Sequence, residues 1–142
     1  MKKLLSAATI LLCSTTAAAS DLTVEMHSAT ADGPGEKAGT IVISDQGAGA
    51  VFTLNLMGMV PLSMHGFHVH ANGDCAPGEK GGKTVPALAA GGHWDPAHTG
   101  RHEGWQGQGH LGDLPRLEAD AEGKAFGAVP VPRITDIAAL KG

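Results

Sequence analysis

Seven of the eight histidines in this 142-residue chain fall between His65 and His110. Three of them sit in "HGFHVH", and the rest are spread through the glycine-rich stretch that follows. Imidazole binds many transition metals and titrates near neutrality, so such crowding points first to a metal site. If "HGFHVH" is a β-strand, residues two apart project from one face. His68 and His70 then point together and can grip one ion from one side. His65 has the opposite parity, shares its face with Phe67 and Val69, and reads as a hydrogen-bonded structural histidine. For His68 and His70 alone, a solvated strand face competes closely with a metal pair.

A second cluster shifts that balance. "GGHWDPAHTGRHEGWQGQGHLGD" contributes His93, His102, His110 and Asp113. Three imidazoles and one carboxylate suit a closed tetrahedral zinc set, and a closed four-ligand site is structural. His98 lies in a Pro-Ala-His-Thr-Gly turn and reads as exposed, and His27 falls on the polar face of the first strand. Gly91 and Gly92, just before His93, are expected to let the backbone approach a crowded site closely.

The elements that position these residues are mostly strands. Leu22, Val24 and Met26 alternate with Thr23, Glu25 and His27. Ile41 and Ile43 repeat the pattern after "DGPGEKAG", whose Gly and Pro content predicts a turn. Phe52, Leu54 and Leu56 alternate with Thr53 and Asn55, "HGFHVH" reads as a fourth strand, and "LEADAEGKAFGAVPV" reads as two more joined at Asp120 to Gly123. Six short strands with polar turns predict an all-β, antiparallel β-sandwich or barrel. Between strands four and five, Ala71 to Pro115 holds 11 glycines and 4 prolines and shows no helical or strand period. Its ordering entropy is large, and metal ligation would fix it directly.

Composition narrows the setting. Residues 1–20 have a basic start (Lys2, Lys3), an apolar run from Leu4 to Leu12 and a small-residue stretch, the layout of a secretory signal peptide. The run is too short to span a bilayer, and the short basic start predicts bacterial export to the periplasm. Leu12 stands where a lipidation site at Cys13 would want a small residue. Residues 21–142 then form one domain. Without Lys2 and Lys3 it carries 8 basic against 14 acidic residues, a net charge near −6 that fits neither a nucleic-acid nor a membrane partner. Cys75 is left without a partner in an oxidising compartment, which predicts an intermolecular bond, a reactive thiol or a half-cystine paired elsewhere.

Taken together, these motifs resemble the copper/zinc superoxide dismutases, in their bacterial exported branch. "HGFHVH" is similar to that family's copper strand, "GGHWDP" to the segment carrying its metal-bridging histidine, "GHLGDLP" to the close of its zinc loop, and "NGDCAP" to the site of its intrasubunit half-cystine. The likeness runs from about Leu22 to Gly142. It implies a Greek-key β-sandwich of the immunoglobulin-like type with a long metal-binding loop. It also implies His68 and His70 as copper ligands, His93 as the imidazolate shared by copper and zinc, and His102, His110 and Asp113 as the rest of the zinc site. The implied reaction converts superoxide to dioxygen and hydrogen peroxide, in a monomer or homodimer, with His68, His70 and His93 catalytic. Cys75 becomes half of a disulfide.

In the family pattern a fourth copper histidine, an anion-guiding arginine, the second half-cystine and the last two strands follow "RITDIAALKG". The resemblance therefore implies a domain incomplete at its C-terminus, with an open sheet edge and an uncovered apolar face. A non-catalytic copper/zinc-binding protein is the competing expectation, although Met57, Met59 and Met64 form no copper-binding cluster. Sequencing past codon 142 is expected to reveal an in-frame histidine, arginine and cysteine; a stop codon directly after Gly142 would overturn that expectation.

Overall fold

The computed structural model describes residues 21–141. The signal peptide expected over residues 1–20 lies outside the described residues. The strands are β1 (Leu22–Thr30), β2 (Gly33–Asp45), β3 (Ala50–Leu56), β4 (Met64–His65), β5 (Gly78–Lys80), β6 (Lys83–Val85), β7 (Leu117–Glu118) and β8 (Ala125–Val131), with 3-10 turns at Leu88–Ala90 and Ile137–Leu140. The main sheet has the order β1-β2-β3-β8, every pair antiparallel.

Alternation decides which face of this sheet is buried. In β3, Ala50, Phe52, Leu54 and Leu56 are buried, while Thr53 and Asn55 face solvent. Register places Ile43 and Val129 beside Phe52, and Ile41 beside Leu54, so one apolar surface crosses the sheet. Phe67 packs its ring edge-on against Phe52, with centroids 5.7 Å apart. Leu114, Leu117, Ile134 and Ile137 complete the core. At the β1 end the surface is uncovered: Val24 is 40 % exposed although its neighbour Ile41 is 3 % exposed. A cleft of about 250 Å³ opens there between β1, β2, Val69 and Trp94.

Three local expectations are corrected. "DGPGEKAG" is not a turn; the chain reverses at Ala31 and Asp32, and β2 already begins at Gly33. There β2 pairs only with β1, because its pairing with β3 begins at Gly39, so Pro34 removes no ladder donor from a central strand. "HGFHVH" is extended but not one continuous strand: only Met64 and His65 lie in β4, and His68 and His70 form isolated bridges to Asp113 and His93. The long insertion does carry regular structure, the β5–β6 hairpin and the 3-10 turn at Leu88–Ala90. These pieces are too short for a periodicity to show.

One backbone knot joins the insertion to the extended segment. Val69 N–H donates to Gly112 O (2.9 Å), Gly112 N–H to Trp94 O (2.8 Å), and Trp94 N–H to Val69 O (2.8 Å). A Cβ on Gly112 would stand 2.3 Å from Val69 O and 2.8 Å from Trp94 N, so only glycine closes this triangle. Gly91 also earns its place, with φ 74°, whereas a Cβ on Gly92 would meet open space. Accordingly Gly112→Ala is expected to destabilise the metal-free protein by about 2–3 kcal/mol in urea unfolding, and Gly92→Ala by less than about 0.5 kcal/mol.

Candidate metal centre

The knot spaces the ligand candidates by single peptide units. Val69 lies between His68 and His70, Trp94 follows His93, and Gly112 precedes Asp113. Extended geometry then sends the side chains of His68 and His70 to the side opposite Phe67, which is buried in the core.

Asp113 is the buried anchor, 2 % exposed. Its Oδ1 lies 2.7 Å from His93 Nδ1, 2.9 Å from His102 Nδ1 and 3.8 Å from His110 Nδ1. Three nitrogens of the same type thus converge on one carboxylate. Two buried atoms of the group, His110 Nδ1 and Asp113 Oδ2, have no hydrogen-bond partner. Buried polar atoms are nearly always satisfied, and leaving one unpaired costs about 1–3 kcal/mol. A cation among these donors would satisfy both at once, so the residues fit a bound metal ion.

His93 is the hub of the centre. Its ring stacks on His68 with centroids 3.9 Å apart, and lies 5.4 Å from His70, 5.0 Å from His102 and 5.6 Å from His110. His70 Nδ1 is 3.0 Å from Gly91 O. A carbonyl only accepts, so Nδ1 carries the proton and the Nε2 lone pair is left to bind a metal. The tightest donor group joins His68 to His93, His102 and Asp113, all within 4.8 Å. His68 therefore leans toward the carboxylate side, while its ring stays 6.5 Å from that of His70. Cross-strand pairing explains this, because His68 sits opposite Asp113 and His70 opposite His93.

The remaining histidines stand apart from the cluster. His65 Nε2 is 2.7 Å from Ser63 Oγ, in keeping with a structural role. His98 is exposed in a left-handed turn with φ 51°. His27 Nδ1 bonds Gly35 O on the sheet surface. Sequence reasoning missed two supports of the loop. The Asp95 carboxylate accepts from Gly100 N–H (2.8 Å) and Thr99 Oγ1 (3.1 Å), a turn foreshadowed by "DPAHTG". Arg133 reaches the carbonyls of Gly109 and His110, for which no local sequence signal exists.

Electrostatics follow the packing. Burial, then the neighbouring His93, lowers the His68 pKa below the ordinary histidine value. Burial pulls the Asp113 carboxyl upward, but bonding and charge from His93 and His102 outweigh it and hold the group below the usual carboxylate range. The Asp95 carboxyl is lowered chiefly by its bond from Gly100 N–H.

An antiparallel β-sheet that carries a cluster of imidazoles beside a buried carboxylate defines a β-sandwich metalloprotein. Comparison with known proteins is specific. The family model "Copper/zinc superoxide dismutase (SODC)" matches residues 37–140. The Cu-Zn superoxide dismutase of Brucella abortus is 50 % identical over 141 residues, covering 99 % of this chain and 81 % of its own length. That of Escherichia coli K12 is 43 % identical with the same coverage. Among solved structures, the Brucella abortus enzyme superposes with a TM-score of 0.83 at 51 % identity, covering 86 % of this chain and 79 % of that one. The monomeric copper, zinc enzyme of Salmonella enterica gives 0.74 at 47 % identity, with 84 % and 77 % covered. The chain belongs to the copper/zinc superoxide dismutase family.

A pH dependence follows from the two lowered pKa values. A lowered folded-state pKa means that acid protonates the unfolded chain first, so stability is present above the ordinary pKa and is lost as pH falls through the folded one. The thermal midpoint of the metal-free protein is therefore expected to fall as pH drops below the ordinary histidine range through His68, and again below the ordinary carboxylate range through Asp113. His68→Asn should flatten the first step and spare the second; an unchanged profile by calorimetry refutes the assignment.

Proposed function

We propose that this protein is a periplasmic superoxide dismutase. It would convert two superoxide ions and two protons into dioxygen and hydrogen peroxide. The observation that carries the reading is the position of His93, whose Nδ1 meets the buried Asp113 carboxylate while its ring touches both His68 and His70. His68, His70 and His93 would hold copper, and His93, His102, His110 and Asp113 would hold zinc. When bound, copper supplies one-electron redox chemistry and zinc supplies a fixed cation.

The chain's own residues supply the rest. Asp113 orients His93 through Nδ1, while the His93 ring lies against those of His68 and His70. His93 Nε2 would serve as the proton carrier, holding a proton and giving it to the reduced substrate. Gly91 O holds His70 in the tautomer whose Nε2 binds metal. The exposed thiol of Cys75 is accessible to the second half-cystine that the resemblance implies. Export is supported by the basic, apolar and small-residue order of residues 1–20 and by the bacterial relatives. Among the described residues, no helix is long and apolar enough to cross a membrane.

The full-length gene product, supplied with copper and zinc, is expected to consume superoxide, and His93→Ala should slow it by at least about 100-fold. His110→Ala should release zinc while His68 and His70 keep copper, as read by elemental analysis. Tight copper and zinc uptake without superoxide consumption would favour the non-catalytic metal-binding alternative.

A further inference from the structure

We propose that Arg133 is a positioning residue for the zinc side of the metal centre, acting through the backbone of His110. The inference rests on reading His110 as a zinc ligand. The guanidinium of Arg133 donates from Nη2 to Gly109 O (2.8 Å) and from Nη1 to His110 O (3.2 Å), in a half-buried setting. A planar fork that spans two successive carbonyls holds both peptide groups that flank the His110 Cα, which a single point donor does not.

Both ends of this clamp are rigid. On the sheet side, Ile134 is 1 % exposed, its carbonyl accepts from Ala50 N–H at 2.8 Å, and its N–H bonds Val131 O. Pro132 packs so closely on Gly49 that a Cβ there would stand 2.6 Å from its Cα. Arg133 therefore projects from a corner tied into β3 and β8. On the loop side, His110 N–H donates to Arg101 O at 2.8 Å, and a Cβ on Gly109 would strike that same oxygen at 2.1 Å. The N–H of His110 is held by Arg101, and its C=O accepts from Arg133 and, at 3.3 Å, from Asp113 N–H.

The ring of His110 needs this support. His93 and His102 have Nδ1 within hydrogen-bond reach of Asp113, but His110 Nδ1 is 3.8 Å away, buried and unpartnered. Its direction is set from the backbone end. Arg133 is thus the link by which the folded sheet, 23 residues further along the chain, presents His110 Nδ1 to the ion.

Co²⁺ uptake by the full-length protein tests this without measuring turnover. Arg133→Met keeps the stem and removes the fork; Arg133→Lys keeps the charge and one donor at a time. Arg133→Met is expected to release Co²⁺ to a chelator about 10-fold faster than wild type and to shift the visible ligand-field bands. Arg133→Lys should fall between the two. Wild-type release and wild-type bands in Arg133→Met would overturn the assignment. If Arg133→Met does not fold, Arg133→Lys decides: faster release with shifted bands supports the clamp, and wild-type behaviour overturns it. A wild-type protein that takes up no Co²⁺ would remove both the zinc-site reading and this one, whereas wild-type uptake with an unaffected variant removes the Arg133 clamp alone.

Discussion

Three hydrogen bonds among Val69, Trp94 and Gly112 hold together what the sequence keeps apart. They join an extended segment to two points of a loop 25 and 43 residues downstream, and each of the three residues neighbours a donor side chain. The closeness depends on Gly112 having no side chain, because a Cβ would overlap a carbonyl oxygen. Phe67 anchors the same segment from the opposite face through its edge contact with Phe52. The apolar core and the metal centre are therefore two faces of one extended stretch. A shift of the core translates directly into a shift of His68 and His70.

The chemistry concentrates on one carboxylate and one imidazole. Asp113 is almost fully buried, a position in which an unpaired charge is unstable, yet its Oδ1 has His93 and His102 at bonding distance. Burial and pairing oppose each other, and pairing wins, which keeps the carboxyl ionised. An ionised, buried carboxylate among three Nδ1 atoms is a strong site for a dication. His93 stands where this site meets the pair on the extended segment.

Much of this was legible in the sequence, for identifiable reasons. Strand parity separated His65 from His68 and His70: the structure gives His65 to Ser63, groups His68 with His93, His102 and Asp113, and leaves the His70 ring 5.4 Å from that of His93. Alternation in β3 marked the buried face correctly, because that strand is central and paired on both sides. What stayed hidden has no period. The β5–β6 hairpin has three residues per strand, too few to alternate visibly. The extended segment pairs through isolated bridges, which depend on a loop whose path sequence does not predict. "DGPGEKAG" looked like a turn because Gly and Pro break central strands, whereas here they occupy an edge.

Metal binding was expected to supply the order of the long loop, and the structure shows a more divided arrangement. Short side-chain-to-backbone bonds already set successive turns: Asp74 to Ala76 N–H, Asp95 to Gly100 N–H and Glu103 to Gln108 N–H. Each restrains only a few residues, so the entropy of closing so long an insertion is lowered piece by piece rather than in one step. The turns fix the direction of local backbone but leave the relation between ends of the loop to longer contacts. Those contacts are the Gly112 triangle, the Asp113 pairs and the Arg133 fork. An ion bound at Asp113 then closes a donor set that is already gathered, so less of its binding free energy is consumed in ordering the chain.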